Sequence, residues 1–239
     1  VTLERVDISH CDDRLQVVLH RQRYDFVLAR VSSGDDVLEI GVGAGVFSQE
    51  LLARSRSYVG VEYDPVTCAE ARKKTGYKAE IIEADARSLP FANEQFSFVV
   101  CLEVLEHLGN YGAGVRNIHR CLRRDGAAII SVPYRLIGGK SLGNEHHPYE
   151  PGEIELVSLL RRIFEQVEVY YQYFEEPWWW RIVRVLHVRR FVGLAQIYAD
   201  LAAGLPRATA RLHIDAQARG RKEGLIVVVR GKRRAFANG

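Results

Sequence analysis

The segment Val37-Leu38-Glu39-Ile40-Gly41-Val42-Gly43-Ala44-Gly45 joins an apolar strand to three alternating glycines, and few folds have a use for that order. Glycine tolerates backbone conformations and close approaches that a Cβ forbids, so a buried strand ending this way can turn tightly against a ligand while the next helix offers free N–H groups. A second apolar strand closes on Glu62, a carboxylate suited to holding ribose hydroxyls. The spacing is G-x-G-x-G, with Val46 where the pyrophosphate-binding fingerprint G-x-G-x-x-G has its last glycine. On these residues alone, a nucleotide-cofactor loop and a tight strand-to-helix turn of another α/β protein both stay open.

Apolar runs of strand length alternate with helix-period segments through most of the 239 residues. That pattern predicts an α/β fold with a mostly parallel sheet covered on both faces, as one domain over 1–239. An N-terminal helix is expected over 10–31, with Leu15, Val18, Leu19, Phe26, Val27 and Ala29 on its apolar face. Strands are expected at Asp36 to Gly41, Tyr58 to Glu62, Ala79 to Glu83, Phe96 to Leu102, Ala127 to Val132, Gln166 to Tyr171 and Gly224 to Arg230. The sheet core thus takes 35–171 and 223–231, with a helical basic insert at 174–222 that begins near Trp178-Trp179-Trp180-Arg181.

The net charge of +3 hides an asymmetry: 181–234 carries thirteen Lys/Arg against three Asp/Glu, a local +10 that leaves about −7 for the rest. Such a basic stretch is either a solvated face or a contact for an anionic partner. No stretch of about 18 residues is apolar and uncharged, and the N-terminus lacks a signal pattern, so a cytoplasmic protein is expected. Cys11, Cys68, Cys101 and Cys121 lack C-x-x-C spacing and are expected as reduced thiols.

Further along, Glu83-Ala84-Asp85-Ala86-Arg87-Ser88-Leu89-Pro90-Phe91 precedes the strand Phe96-Ser97-Phe98-Val99-Val100-Cys101-Leu102, which runs into Glu103-Val104-Leu105-Glu106-His107-Leu108. Then Leu122-Arg123-Arg124-Asp125-Gly126 leads to a strand ending Val132-Pro133. This order of glycine loop, strand-end acid, A-D-A-x-x-L-P-F, F-x-V-V and L-E-H-L resembles the class I S-adenosylmethionine-dependent methyltransferases, over about 35–171 and the last strand. The resemblance implies a seven-stranded Rossmann-like sheet whose last strand is antiparallel. It implies S-adenosyl-L-methionine as cofactor and S-adenosyl-L-homocysteine as product.

By the same resemblance, Gly41, Gly43 and Gly45 lie against the methionine and ribose, and Glu39 orients the cofactor's amino group. Glu62 takes the ribose hydroxyls and Tyr63 lies along the adenine. Asp85 takes the adenine amino group beside the Ala86 N–H, and Leu102 and Glu103 close the methionine end. The N/D-P-P-Y/F motif of enzymes that methylate base amino groups is absent, as is the proline-cysteine of those acting on base carbon.

On the acceptor side, Asn144-Glu145-His146-His147-Pro148-Tyr149-Glu150-Pro151 is the densest polar cluster. Adjacent histidines point apart and no third ligand has suitable spacing, so no metal site is expected. His146 or His147 could accept a hydroxyl proton, with Glu150 as partner, and His107 is a further candidate. The expected reaction is methyl transfer, most simply to oxygen, on a small-molecule, sugar or lipid-linked acceptor. Peripheral membrane contact and a homodimer are candidate roles for the basic insert, and nucleic acid ranks below them. The alternatives are an RNA or protein methyltransferase using the basic region, or a non-catalytic cofactor-binding subunit.

Overall fold

A computed structural model describes residues 14–141, 144–174, 212–217 and 221–232. Helix α1 (Arg14–Leu28) leads into β1 (Asp36–Ile40), and the chain then alternates through α2 (Ser48–Arg54), β2 (Ser57–Glu62), α3 (Pro65–Lys74) and β3 (Glu80–Glu83). Next come β4 (Phe96–Leu102), a 3-10 turn (Leu105–His107), α4 (Tyr111–Cys121), β5 (Leu122–Pro133) and α5 (Glu153–Ile163). Strands β6 (Phe164–Phe174), β7 (Leu212–Asp215) and β8 (Arg221–Lys232) complete the sheet. Its order is β3-β2-β1-β4-β5-β8-β6-β7. β1 to β5 pair in parallel, β8 lies antiparallel between β5 and β6, and β7 is antiparallel to β6 at the edge.

Local chemistry explains the helix starts. Asp64 accepts the Thr67 N–H at 2.8 Å with Pro65 in the first turn of α3, a pairing that satisfies an orphan donor and presets φ. Asn110 does the same for α4 through Ala113 N–H at 3.2 Å. Side chains alternate along β1, so the core divides into two layers. Leu38 and Ile40 pack with Val99, Cys101 and Ile130 beneath Val115 and Ile118 of α4 and Leu156 and Leu160 of α5. Val37 packs with Phe98, Val100 and Ile129 beneath Val27, Leu51, Cys68 and Ala71 of α1 to α3.

The sheet has eight strands, one more than the sequence predicts. Leu212–Asp215 lies inside the expected helical insert at 174–222, yet Leu212 and Ile214 alternate with His213 and Asp215 and register against Phe174, Tyr173, Gln172 and Tyr171 on the open edge of β6. Residue 174 and residues 221 and 222 are strand as well. The expected insert is therefore corrected at both ends, because paired edges outweigh helical composition. The tryptophan run Trp178-Trp179-Trp180, most of the basic insert and Cys11 lie outside the described residues. Cys68, Cys101 and Cys121 are buried free thiols. No described helix is long and apolar enough to cross a membrane.

The strands step outward from β1 to β3 on one side and from β4 through β5 on the other. Connections leaving β1 and β4 in opposite directions open a crevice at the carboxyl ends of these strands, the place where open α/β sheets bind ligands.

Candidate functional site

The loop after β1 folds back over β2, with Gly41 and Val42 N–H groups donating to the Val61 carbonyl at 2.8 and 3.1 Å. Gly41, Gly43 and Gly45 all have positive φ, at 77°, 53° and 71°. Their surroundings differ. A Cβ on Gly41 would run into Val104, and one on Gly45 would come within 3.0 Å of the Ala71 Cα on α3, so these two serve packing. Around Gly43 nothing lies within 4 Å of that position. It is the glycine that leaves open space for a ligand beside the backbone.

Glu62 ends β2 next to that space. Its Oε2 accepts the Gly43 N–H at 3.0 Å, and its Oε1 accepts the Tyr63 and Asp64 N–H groups at 3.0 and 3.2 Å. Three backbone donors fix the carboxylate, which retains lone pairs for further donors. The Tyr63 ring beside it is 66% exposed, so it is available to lie on a flat ligand. Asp85 follows β3 and is engaged by Arg87, whose Nη2 donates at 2.6 Å and whose backbone N–H donates at 2.7 Å. The Arg87 guanidinium holds the Asp85 carboxyl below its usual range. An adenine amino group at Asp85 has to share it with that cation. Ala86 is buried beside it.

Glu39 stands apart from the open crevice. It is only 1% exposed, and its oxygens accept from the hydroxyls of Tyr24 on α1, Tyr58 on β2 and Ser48 on α2, the last at 2.9 Å. Burial pushes its carboxyl up, and the three hydroxyls oppose that. A buried carboxylate costs several kcal/mol unless it is bonded, so this arrangement ties α1 and α2 to the strand that carries the glycine loop. A direct contact to a ligand amino group would need one hydroxyl to give way.

β4 delivers Leu102, which is buried, and Glu103, which has a positive φ of 54° although it is not glycine. Glu103 Oε1 accepts from Ser131 Oγ at 2.7 Å, and Oε2 lies 3.3 Å from Nη1 of Arg23. Arg23, on α1, is 3% exposed, and among the described residues its Nε and Nη1 have no aligned hydrogen-bond partner. His20, one turn before Arg23, has its pKa lowered to about 4, by burial first and then by the Arg23 charge, with Glu103 opposing. Glu106 in the 3-10 turn is 1% exposed and its Oε2 lacks a partner among the described residues. Burial, reinforced by Glu103, pushes its carboxyl well up.

The segment after β5 returns to this same end of the sheet. Gly139 and Glu150 exchange backbone hydrogen bonds at 3.1 and 2.9 Å and close it into a loop. Within the loop, His147 Nδ1 meets Glu150 Oε1 at 2.9 Å, and Arg135 Nη1 donates to Glu150 Oε2 at 2.9 Å. Burial alone would raise Glu150, but the bonds from His147 and Ser141 and the charge of Arg135 bring it below its usual value. The His107 and His147 rings meet edge to face, 4.6 Å between centroids. His107 Nδ1 is 3.2 Å from the His146 carbonyl, so His146 contributes backbone here. Burial and then the neighbouring His147 lower the His107 pKa.

The structure therefore brings together Gly43, Glu62 and Tyr63 at one end of the crevice and Glu103, His107, His147 and Glu150 at the other. Sequence reasoning missed His20, Arg23, Tyr24, Ser48, Tyr58 and a role for Glu106. Their contacts join elements distant in the chain, and only Glu106, an acid flanked by Leu105 and His107, carried a local signal. The residues fit an adenosine-bearing cation at the crevice: open backbone at Gly43, an anchored carboxylate at Glu62, an exposed aromatic at Tyr63 and acids near both ends.

Comparison with known proteins agrees with this geometry. The methyltransferase domain family matches residues 38–130. A probable S-adenosylmethionine-dependent methyltransferase of Mycobacterium tuberculosis is 31% identical over 162 residues, 66% of this chain and 57% of the relative. A ubiquinone biosynthesis O-methyltransferase of Pseudomonas putida is 29% identical over 118 residues, 46% of this chain and 50% of its own length. The chain thus spans between half and three fifths of these relatives. Among solved structures, the N-methyltransferase NodS of Bradyrhizobium japonicum in complex with S-adenosyl-l-homocysteine superposes with a TM-score of 0.57 at 17% identity, covering 93% of each chain. Likeness at that identity speaks to the fold.

Proposed function

We propose that this chain, which is similar to S-adenosylmethionine-dependent methyltransferases, transfers a methyl group from S-adenosylmethionine to a hydroxyl of a small-molecule acceptor. The observation that carries the acceptor half is the cluster in which His107, just after β4, meets His147 and its partner Glu150 from the loop after β5. The O-methyltransferase name of the Pseudomonas relative supports oxygen as the receiving atom.

When bound, the cofactor supplies an electron-poor methyl group on a cationic sulfonium. Glu62 and the backbone at Gly43 would hold the ribose end, with Asp85, Ala86 and Tyr63 around the adenine. Gly41 and Gly45 shape the loop. Leu102 and Glu103 would bound the methionine end, with the buried Arg23 paired to Glu103 behind it. Glu39 is a positioning residue that fixes α1 and α2. Carboxylates along the crevice favour a cationic ligand over its neutral product. In-line displacement then asks the chain chiefly to hold the acceptor oxygen about 3 Å from the methyl carbon in a site poor in water. As the acceptor oxygen bonds the methyl carbon and the carbon–sulfur bond breaks to release S-adenosylhomocysteine, the hydroxyl proton would pass to the His107, His147 and Glu150 cluster.

A panel of hydroxyl and amine acceptors with methyl-labelled cofactor tests this reading. Labelled ether products are expected, with His147→Ala losing most turnover while still binding S-adenosylhomocysteine in calorimetry. Labelled amines alone would remove the oxygen assignment, and unchanged turnover in His147→Ala would remove the cluster.

A further inference from the structure

Glu106, His107 and His147 each place one ligand-capable atom so that the three lie within 4.8 Å of one another. The first two come from the 3-10 turn after β4, and the third comes from the loop that the Gly139 and Glu150 backbone pair closes. Three further features bear on this cluster. Glu106 is 1% exposed, and Oε2 has no hydrogen-bond partner among the described residues, an arrangement that costs free energy unless something cationic or donating meets it. His107 Nδ1 faces a carbonyl oxygen, that of His146 at 3.2 Å, and His147 Nδ1 faces the Glu150 carboxylate at 2.9 Å. Both acceptors require N–H at Nδ1, so in each neutral ring the lone pair is at Nε2. That is the outer-shell pattern by which proteins orient metal-binding imidazoles, and Arg135 in turn fixes Glu150 at 2.9 Å.

We propose that Glu106, His107 and His147 bind a divalent first-row transition cation. Two imidazoles and one carboxylate suit zinc, iron, cobalt or manganese better than magnesium or calcium, which prefer all-oxygen sites. Ligand atoms of a tetrahedral site stand about 3.3 Å apart, so side-chain rotations of an ångström or so close the cluster around an ion. The Asn144 Nδ2, now 3.0 Å from His147 Nε2, has to swing aside. This proposal departs from the expectation of no metal site: the adjacent pair His146 and His147 does not supply both histidines, because the second imidazole at the cluster is that of His107. With three protein ligands the cation keeps positions for an acceptor hydroxyl, whose pKa it lowers. This last role rests on the methyl-transfer reading; the cation site does not.

The experiment uses the untagged full chain, stripped with chelator and dialysed against Co²⁺ or Zn²⁺, with metal analysis and, for cobalt, visible absorption. One ion per chain is expected, with ligand-field bands that shift when zinc displaces cobalt. Glu106→Gln and His147→Gln should each weaken binding about tenfold or more. Both variants should bind S-adenosylhomocysteine as the parent does, which checks that they fold. Substoichiometric cobalt in the parent, or equal cobalt affinity in the parent and both variants, would overturn the proposal. The two readings fail separately. Cobalt binding without S-adenosylhomocysteine binding sinks methyl transfer and leaves the cation site standing, and the reverse result sinks the cation site alone.

Discussion

Acidification should weaken the fold through His20, and the size of the effect follows from where that ring sits. It is held on α1 beside Arg23 and opposite Glu103, and burial with the Arg23 charge lowers its pKa from 6.5 to about 4. Between these values the unfolded chain binds a proton that the folded chain refuses, so stability falls as pH falls. It is complete above the unfolded value and lost progressively down to the folded one. The whole gap corresponds to about 3 kcal/mol, of which about 2 kcal/mol is lost between about pH 7.5 and about pH 5. His107 and His119, also lowered, act in the same direction, whereas the raised Glu39 and Glu106 act in the opposite one. The measurement is therefore a difference of differences: urea unfolding by circular dichroism at both pH values, for the parent and for His20→Gln. The variant should lose about 2 kcal/mol less than the parent on acidification. Equal losses, within about 0.5 kcal/mol, would refute the assignment of a half-buried neutral imidazole at His20.

Gly43→Val should leave the fold standing at a cost of about 1–2 kcal/mol for its positive φ of 53°. It should also lower S-adenosylhomocysteine affinity at least about tenfold in calorimetry, the counterpart of about 1.4 kcal/mol. Unchanged affinity would mean the open side of this glycine faces no ligand. At Glu103, where φ is 54°, Glu103→Gly should be more stable than Glu103→Ala by about 1 kcal/mol in thermal unfolding, since both lose the carboxylate and only glycine relieves the backbone. Equal stability of the two would remove the claim of strain there.

Most of the sheet was legible in the sequence because strands buried on both faces are written as continuous apolar runs, as in Phe98-Val99-Val100-Cys101 of parallel β4 and Leu225-Ile226-Val227-Val228-Val229 of antiparallel β8. β7 was not, since four residues of alternating character carry little signal until an open edge lies beside them. Local chemistry also pointed to Gly43 and Glu62, which meet across one strand-to-strand connection. The partners of Glu39, in contrast, come from three separate elements, and the pairing of Arg23 with Glu103 spans eighty residues. Nothing near either residue in the chain encodes such a meeting. His147 illustrates the same limit: its neighbour in sequence is His146, but its ring neighbour is His107, which is set by the loop's return and not by spacing.

The place of β8 in the sheet has a consequence for how the protein is made. The last of the described strands is the one that joins β5 to β6, pairing with both along most of its length. During synthesis, β1 to β5 can assemble as soon as they leave the ribosome, but β5 then presents an unpaired, apolar edge until residues up to about 230 have emerged. For that interval β6 has, among the described strands, only the short β7 to pair with. Nascent or truncated chains ending before Arg221 therefore expose the type of edge that recruits other strands. Aggregation should track translation pauses in the stretch before β8 more closely than it tracks the stability of the finished fold.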